Sequence, residues 1–168
     1  MLGRSSAYDA QNKGSKVKAV FSIYDRAVAM VGGNAVQSLT LLFTRVVLAG
    51  SYGRSARTKV EEGSWLSISE TTYFLFAEEY SGVPLPSELA AQLATVSEHL
   101  FPILLVLGLF TRLSALALLG MTMVIQIFVY PEAWWPVHAL WATLALVLIT
   151  RGGGSMALDA ALVKARAR

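Results

Sequence analysis

A chain of 168 residues that is 55% hydrophobic and only 15% charged departs from a soluble domain, in which about a quarter of residues are charged. Its length suits one small membrane bundle of about four spans with short ends. The net charge of +3 is clustered in the tails and bears on topology, no RNA- or DNA-binding signature is present, and the absence of cysteine removes thiolate catalysis, disulfide relays, iron–sulfur ligation and covalent haem attachment.

Residues 1–17 are polar and rich in Gly and Ser, as expected of a disordered arm, and they hold no apolar core followed by a cleavage site, so no removable signal peptide is expected. Over residues 18–33, Val20, Ile23, Tyr24, Ala27 and Val31 share one helical face. A helix lying on the membrane surface and one packed on protein fit this pattern equally. Gly32-Gly33-Asn34 ends it. The first span is expected over residues 36–52, with Arg45 in its middle, where a charge costs about 2.5–3.5 kcal/mol on an isolated helix. A polar stretch over 53–67 follows. Ser69 is then placed to cap a short helix whose apolar stripe is Tyr73, Phe76, Ala77 and Tyr80, a pattern suited to the headgroup level.

Three further spans are expected over residues 88–110, 113–130 and 134–150, with Arg112 marking one turn and Pro131-Glu132 the next. Gly152-Gly153-Gly154 stops the last span, and Asp159 is placed to cap a short amphipathic tail carrying Lys164, Arg166 and Arg168. Basic residues gather at both termini and at Arg112, whereas the 53–88 segment is net acidic. This predicts four spans with both termini in the cytoplasm. Arg54, Arg57 and Lys59 run against that rule.

Glu98 is the acid of the second span, and an intramembrane acid normally faces the bundle interior with a partner. Counting inward at 1.5 Å per residue puts Glu98 and Arg45 level, both roughly 14–15 Å deep. An Arg45–Glu98 ion pair is therefore expected, either as the working centre or as a structural pair fixing helix register. Gln126 and His138 fall roughly 6 Å below the outer surface, beside Trp134 and Trp141, with Lys59 or Arg54 placed to close the cluster from the loop. Together they predict a polar, outward-facing pocket, although interhelical hydrogen bonding that glues the bundle explains the same residues. The two histidines lie at different depths, which argues against a bis-His haem, and zinc lacks ligands. No metal site is expected.

From Arg45 to Asp159 the chain resembles the DoxX family of small membrane proteins. The residues that carry this resemblance are Arg45 in the first span, Lys59 after it, the segment LFAEEYSGVPLP from Leu75, the run SEHLFPILLVLGLFTR from Ser97, and the closing GGG with Leu158-Asp159. Ala56, where relatives often have Gly, and Ala157, where a Ser usually precedes Leu-Asp, depart from the pattern. The resemblance implies an all-α integral membrane protein, a four-helix bundle with short interfacial helices, occupying residues 34–168. It also implies a redox association, some relatives being quinone-linked oxidoreductase subunits and others assembling with soluble oxidative-stress enzymes.

The expected protein is thus a multi-pass protein of a bacterial inner membrane. In the leading reading it is a redox subunit whose pocket binds a quinone-like molecule, with Gln126 and His138 on the carbonyls, Trp134 and Trp141 on the ring, and Glu98 exchanging a proton. The alternatives are a non-catalytic scaffold recruiting a soluble oxidative- or metal-stress partner through its basic termini, and a small-solute or metal-ion transporter, which would need homo-oligomerisation.

Overall fold

The computed structural model describes residues 18, 21–22, 24–26 and 28–167. The arm expected over 1–17 lies outside them. Residues 1–37 and 38–168 form separate units, and all packing described below is within the second. The described residues before Gly32 are helical. Six α-helices follow: α1 (Asn34–Arg57), α2 (Glu70–Glu78), α3 (Ser87–Leu107), α4 (Thr111–Phe128), α5 (Ala139–Arg151) and α6 (Leu158–Arg166). Among the described residues the extended pairing is limited to one bridge, Val60 with Ile68.

The α3 and α4 helices and the continuous helical stretch Pro131–Arg151 are each long and apolar enough to cross a membrane. The α1 helix meets that standard only together with the helical residues before it, and Arg45 is the charge in its apolar stretch. Its 24 residues nevertheless reach about 36 Å. The protein is an all-α membrane bundle. Leucines lie on both sides of its helices: Leu48, Leu105, Leu118 and Leu148 are buried, whereas Leu100, Leu113, Leu116 and Leu140 are exposed. An exposed leucine costs little against acyl chains, so burial follows packing rather than polarity. Ala91, Ala115 and Ala145 are almost wholly buried, as small residues must be where backbones approach closely.

The helix ends follow from local chemistry. Ser69 caps α2, its hydroxyl accepting the Thr72 N–H at 3.2 Å, with Glu70 in the first turn. The α3 helix closes on Gly108 at φ +70°, a conformation that costs other L-residues strain. The fourth span starts earlier than expected. A 3₁₀ turn over Pro131–Ala133 runs into a π turn over Trp134–His138, because Pro136 has no N–H to give a regular α ladder.

The aromatic stripe of α2 seats on protein. Phe76 packs with Ala90 and Ala91 of α3, and Tyr73 and Tyr80 join them, while Ala77 is exposed. Tyr73, Phe76 and Tyr80 of the stripe thus seat on α3.

Candidate functional site

Glu98 is 2% exposed and Lys59 is 8% exposed. The Lys59 ammonium reaches the Glu98 carboxylate with Nζ 2.8 Å from Oε2, and it also donates to Ser55 Oγ at 3.0 Å. Lys59 lies just beyond α1, whose end at Arg57 is more than three turns past Arg45. Its carbonyl accepts the Ser69 N–H at 3.0 Å and the Thr72 hydroxyl at 3.0 Å. The backbone is thus pinned to the start of α2, and the side chain is sent into the bundle. Pro102 sits one turn after Glu98 inside α3; lacking an N–H, it leaves the Glu98 carbonyl without its intrahelical donor.

The expected Arg45–Glu98 pair does not form. The Arg45 guanidinium donates instead to the carbonyls of Leu105 (3.2 Å), Val106 (3.3 Å) and Met156 (3.3 Å). The level estimate counted Cα positions, whereas each Cα–Cβ bond in a helix leans toward that helix's N-terminus. In the antiparallel α1 and α3 those leans are opposite. Arg45 therefore points to the C-terminal end of α3, and Glu98 points the other way, to Lys59. The α3 terminus is a favourable seat for a cation because its free carbonyls carry the negative end of the helix dipole.

Gly108 makes that seat possible. A Cβ there would lie 2.2 Å from Arg45 Nη1 and 2.6 Å from the Ala157 Cβ. Asp159 completes the closure: its carboxylate accepts the Phe110 N–H at 2.8 Å and the Thr111 N–H at 2.9 Å, and its own N–H donates to the Gly108 carbonyl at 2.9 Å. Asp159 thus caps α4. The N-cap of α6 is Ala157, which makes no side-chain cap bond, correcting the expectation that Asp159 caps the tail. Arg45 Nε, Thr111 Oγ1 and Ser114 Oγ have no hydrogen-bond partner among the described residues.

The Lys59–Glu98 pair lines a cavity of about 170 Å³ between α2, α3 and α4. Phe76 of α2, Tyr80 just after it, Ala90 and Ala94 of α3, and Met121 and Ile125 of α4 give it largely apolar walls. Leu85, Leu93 and Val124, also in its lining, are 47%, 50% and 39% exposed, so its rim lies on the lipid-facing surface. Burial raises the pKa of the Tyr80 phenol, with Tyr130, Glu98 and Glu79 adding to the effect. Tyr80 therefore stays a neutral hydroxyl on the wall. It stacks on Phe76 at 4.2 Å between ring centroids.

Gln126, His138, Trp134 and Trp141 do not line this cavity. Gln126 and His138 do meet, as their depth implied: Nδ1 of His138 lies 2.7 Å from Gln126 Oε1, and Gln126 Nε2 donates to the Pro131 carbonyl at 2.7 Å. Trp141 packs tilted against His138 at 5.9 Å and against Tyr52 at 5.0 Å. Trp134 opens the π turn, half-buried. The single expected pocket is therefore two places, separated by α4. Met121 and Ile125 face the cavity, whereas Leu118, Thr122 and Gln126, spaced four apart, face the histidine cluster.

Tyr52 belongs to that second cluster and was not singled out from sequence. Its hydroxyl donates to the Leu118 carbonyl at 2.9 Å and lies 2.5 Å from Thr122 Oγ1. A phenol within a span needs a partner, and that was the available signal. His99, beside Glu98 in sequence, turns to the Thr95 carbonyl at 2.8 Å and meets the edge of Trp65. Outside the spans, the Tyr130 hydroxyl donates to the Glu79 carboxylate, tying the end of α2 to the end of α4. That bond and burial push the Tyr130 phenol up to about 12. No three His, Asp or Glu side chains gather into a metal-binding group among the described residues.

Comparison with known proteins places these features in a family. The DoxX family model matches residues 40–131, a segment containing Arg45, Lys59 and Glu98 and every wall of the cavity. A protein of Haemophilus influenzae described as uncharacterized is 29% identical over 146 residues, covering 75% of this chain and 85% of that protein. No solved structure matches.

Proposed function

Since this chain belongs to the DoxX family, we propose that it is the membrane subunit of a redox-associated system and that its cavity binds a lipid-soluble, quinone-like molecule. The observation that carries this reading is a buried ion pair, Lys59–Glu98, in the wall of an otherwise apolar cavity. A buried pair is seldom a gain in stability over apolar packing, so its presence favours a chemical role.

The size fits a single ring. A cavity of about 150 Å³ accommodates benzene, and this one measures about 170 Å³. A monocyclic quinone head enters, whereas a haem is several times too large. Its isoprenoid tail would leave past Leu93 and Val124 into the acyl chains. Lys59 and the Tyr80 hydroxyl supply donors for a ring carbonyl, and Glu98 supplies the group that takes up or delivers a proton. Glu98 engages one oxygen, Oε2, with Lys59, which leaves the other for that exchange. A quinone when bound supplies the electron-carrying chemistry; electrons would come from a partner protein. Gln126 and His138 act in this reading as interhelical packing, not as ring ligands.

The test is purification in mild detergent, followed by extraction and mass spectrometry of lipid-soluble compounds. A co-purifying quinone depleted in Glu98→Gln supports the reading. Full quinone binding and turnover in Glu98→Gln would remove the proton role. The charge pattern of the chain supports both termini in the cytoplasm, and the family resemblance a bacterial inner membrane.

A further inference from the structure

The end of the bundle that holds the Arg45 seat carries an excess of outward positive charge. Arg112 follows the α3–α4 turn, Arg151 ends α5, and Lys164 and Arg166 lie in the last turn of α6; all four are exposed. Between residues 99 and 167 the acids are Glu132, in the turn at the opposite end, and Asp159. Asp159 is turned inward, its two oxygens spent on the N–H groups of Phe110 and Thr111. No acid between residues 99 and 167 therefore offsets the cations at this end.

The α6 helix adds an apolar stripe between two of them. At 100° per residue Leu158, Ala161, Leu162 and Ala165 share one face, with Lys164 and Arg166 on its two flanks. No residue of α6 is buried, and Leu158 and Leu162 are 45% and 50% exposed. The Asp159 tether fixes the first turn of α6 beside the α3–α4 turn, where two membrane-crossing helices end. The stripe consequently lies at the boundary between acyl chains and water. Phe110 and Met156, 60% and 54% exposed, extend the apolar surface at the same level.

We propose that α6, with Arg112 and Arg151, forms a collar that binds anionic phospholipid headgroups of the adjoining leaflet. Leu158 and Leu162 enter the acyl boundary, while Lys164 and Arg166 extend along it to the phosphates. Charge complementarity selects the occupant, since a zwitterionic surface would satisfy the leucines but leave four cations without counter-charge.

The chain contains no cysteine, so a single environment-sensitive dye can be attached to Leu162→Cys in the full-length protein. The labelled protein is placed in nanodiscs of phosphatidylcholine, or of phosphatidylcholine with phosphatidylglycerol. A second protein labelled at Glu132→Cys reports the opposite end. The collar predicts that phosphatidylglycerol shifts the Leu162 dye to blue emission and shields it from an aqueous quencher, with no change at position 132. Lys164→Gln and Arg166→Gln should each lower the shielded-to-quenched ratio about fivefold. Equal shielding with and without phosphatidylglycerol would overturn recognition of anionic lipid and leave apolar anchoring alone. A dye quenched in both membranes would overturn the collar and leave the tail facing water, available to a soluble partner.

Discussion

Removing one member of the Lys59–Glu98 pair should harm the bundle more than removing both. Lys59→Met keeps a straight apolar stem but strands Glu98, which is only 2% exposed. Stranding a buried charge costs roughly 3–5 kcal/mol, whereas exchanging both members for apolar residues is often neutral. With Lys59 itself 8% exposed, solvent screening relieves little of that cost. Lys59→Met and Glu98→Leu should therefore each lower unfolding free energy by about 3–5 kcal/mol, and the double variant by less than either. Reversible unfolding in mixed micelles, followed by tryptophan fluorescence, measures all of these. Losses that simply add would refute the reasoning. The cycle of Arg45→Met with Glu98→Leu should be additive, because Arg45 bonds to the Leu105, Val106 and Met156 carbonyls.

Other expectations concern the ends of the bundle. Gly108→Ala forces a Cβ to within 2.2 Å of Arg45 Nη1 at φ +70° and should cost more than about 3 kcal/mol, whereas Gly50→Ala, with open space around its Cβ, should gain up to about 1 kcal/mol; the same unfolding assay compares them. Asp159→Asn weakens the cap on Phe110 and Thr111 and should cost about 0.5–2 kcal/mol. In an ultraviolet titration, one tyrosine should ionise near pH 12 and disappear in Tyr130→Phe, and Glu79→Gln should bring its midpoint down toward the ordinary phenol value near 10. Because the folded pKa is raised, this contact adds stability below about pH 10 and loses it as pH climbs through about 12.

The fold was legible because hydropathy dictates it. Arg112 and Pro131 mark turns between spans and Gly152 ends the last one, and every expected span contains a helix, with ends displaced by a few residues. The Ser69 cap and the Gln126–His138 meeting were also readable, since each depends on spacing along helices whose ends were visible. The partner of Glu98 was misread as Arg45, Lys59 being placed only to close the cluster from the loop, whereas Lys59 makes the pair. Choosing between them required the direction of each side chain along antiparallel helices, and Cα depth carries no such direction. The inward turn of Lys59 rests on the Ser69 and Thr72 bonds to its carbonyl, which join residues across a loop without periodicity. Asp159 was misassigned for a similar reason. An acid at the start of a helix reads as that helix's cap, yet here the unsatisfied N–H groups of α4 lie closer to hand.

The most direct test of a ligand site at Lys59–Glu98 is to fill the cavity and leave the ion pair intact. Ala94, in its wall, is replaced by Phe, and the quinone retained through detergent purification is quantified by mass spectrometry. Gln126→Leu, on the other side of α4, serves as the comparison. Quinone lost from Ala94→Phe and kept by Gln126→Leu is the expected result. Equal retention in wild type and Ala94→Phe, or loss confined to Gln126→Leu, would contradict it and return the site to the Gln126–His138 cluster or away from this chain.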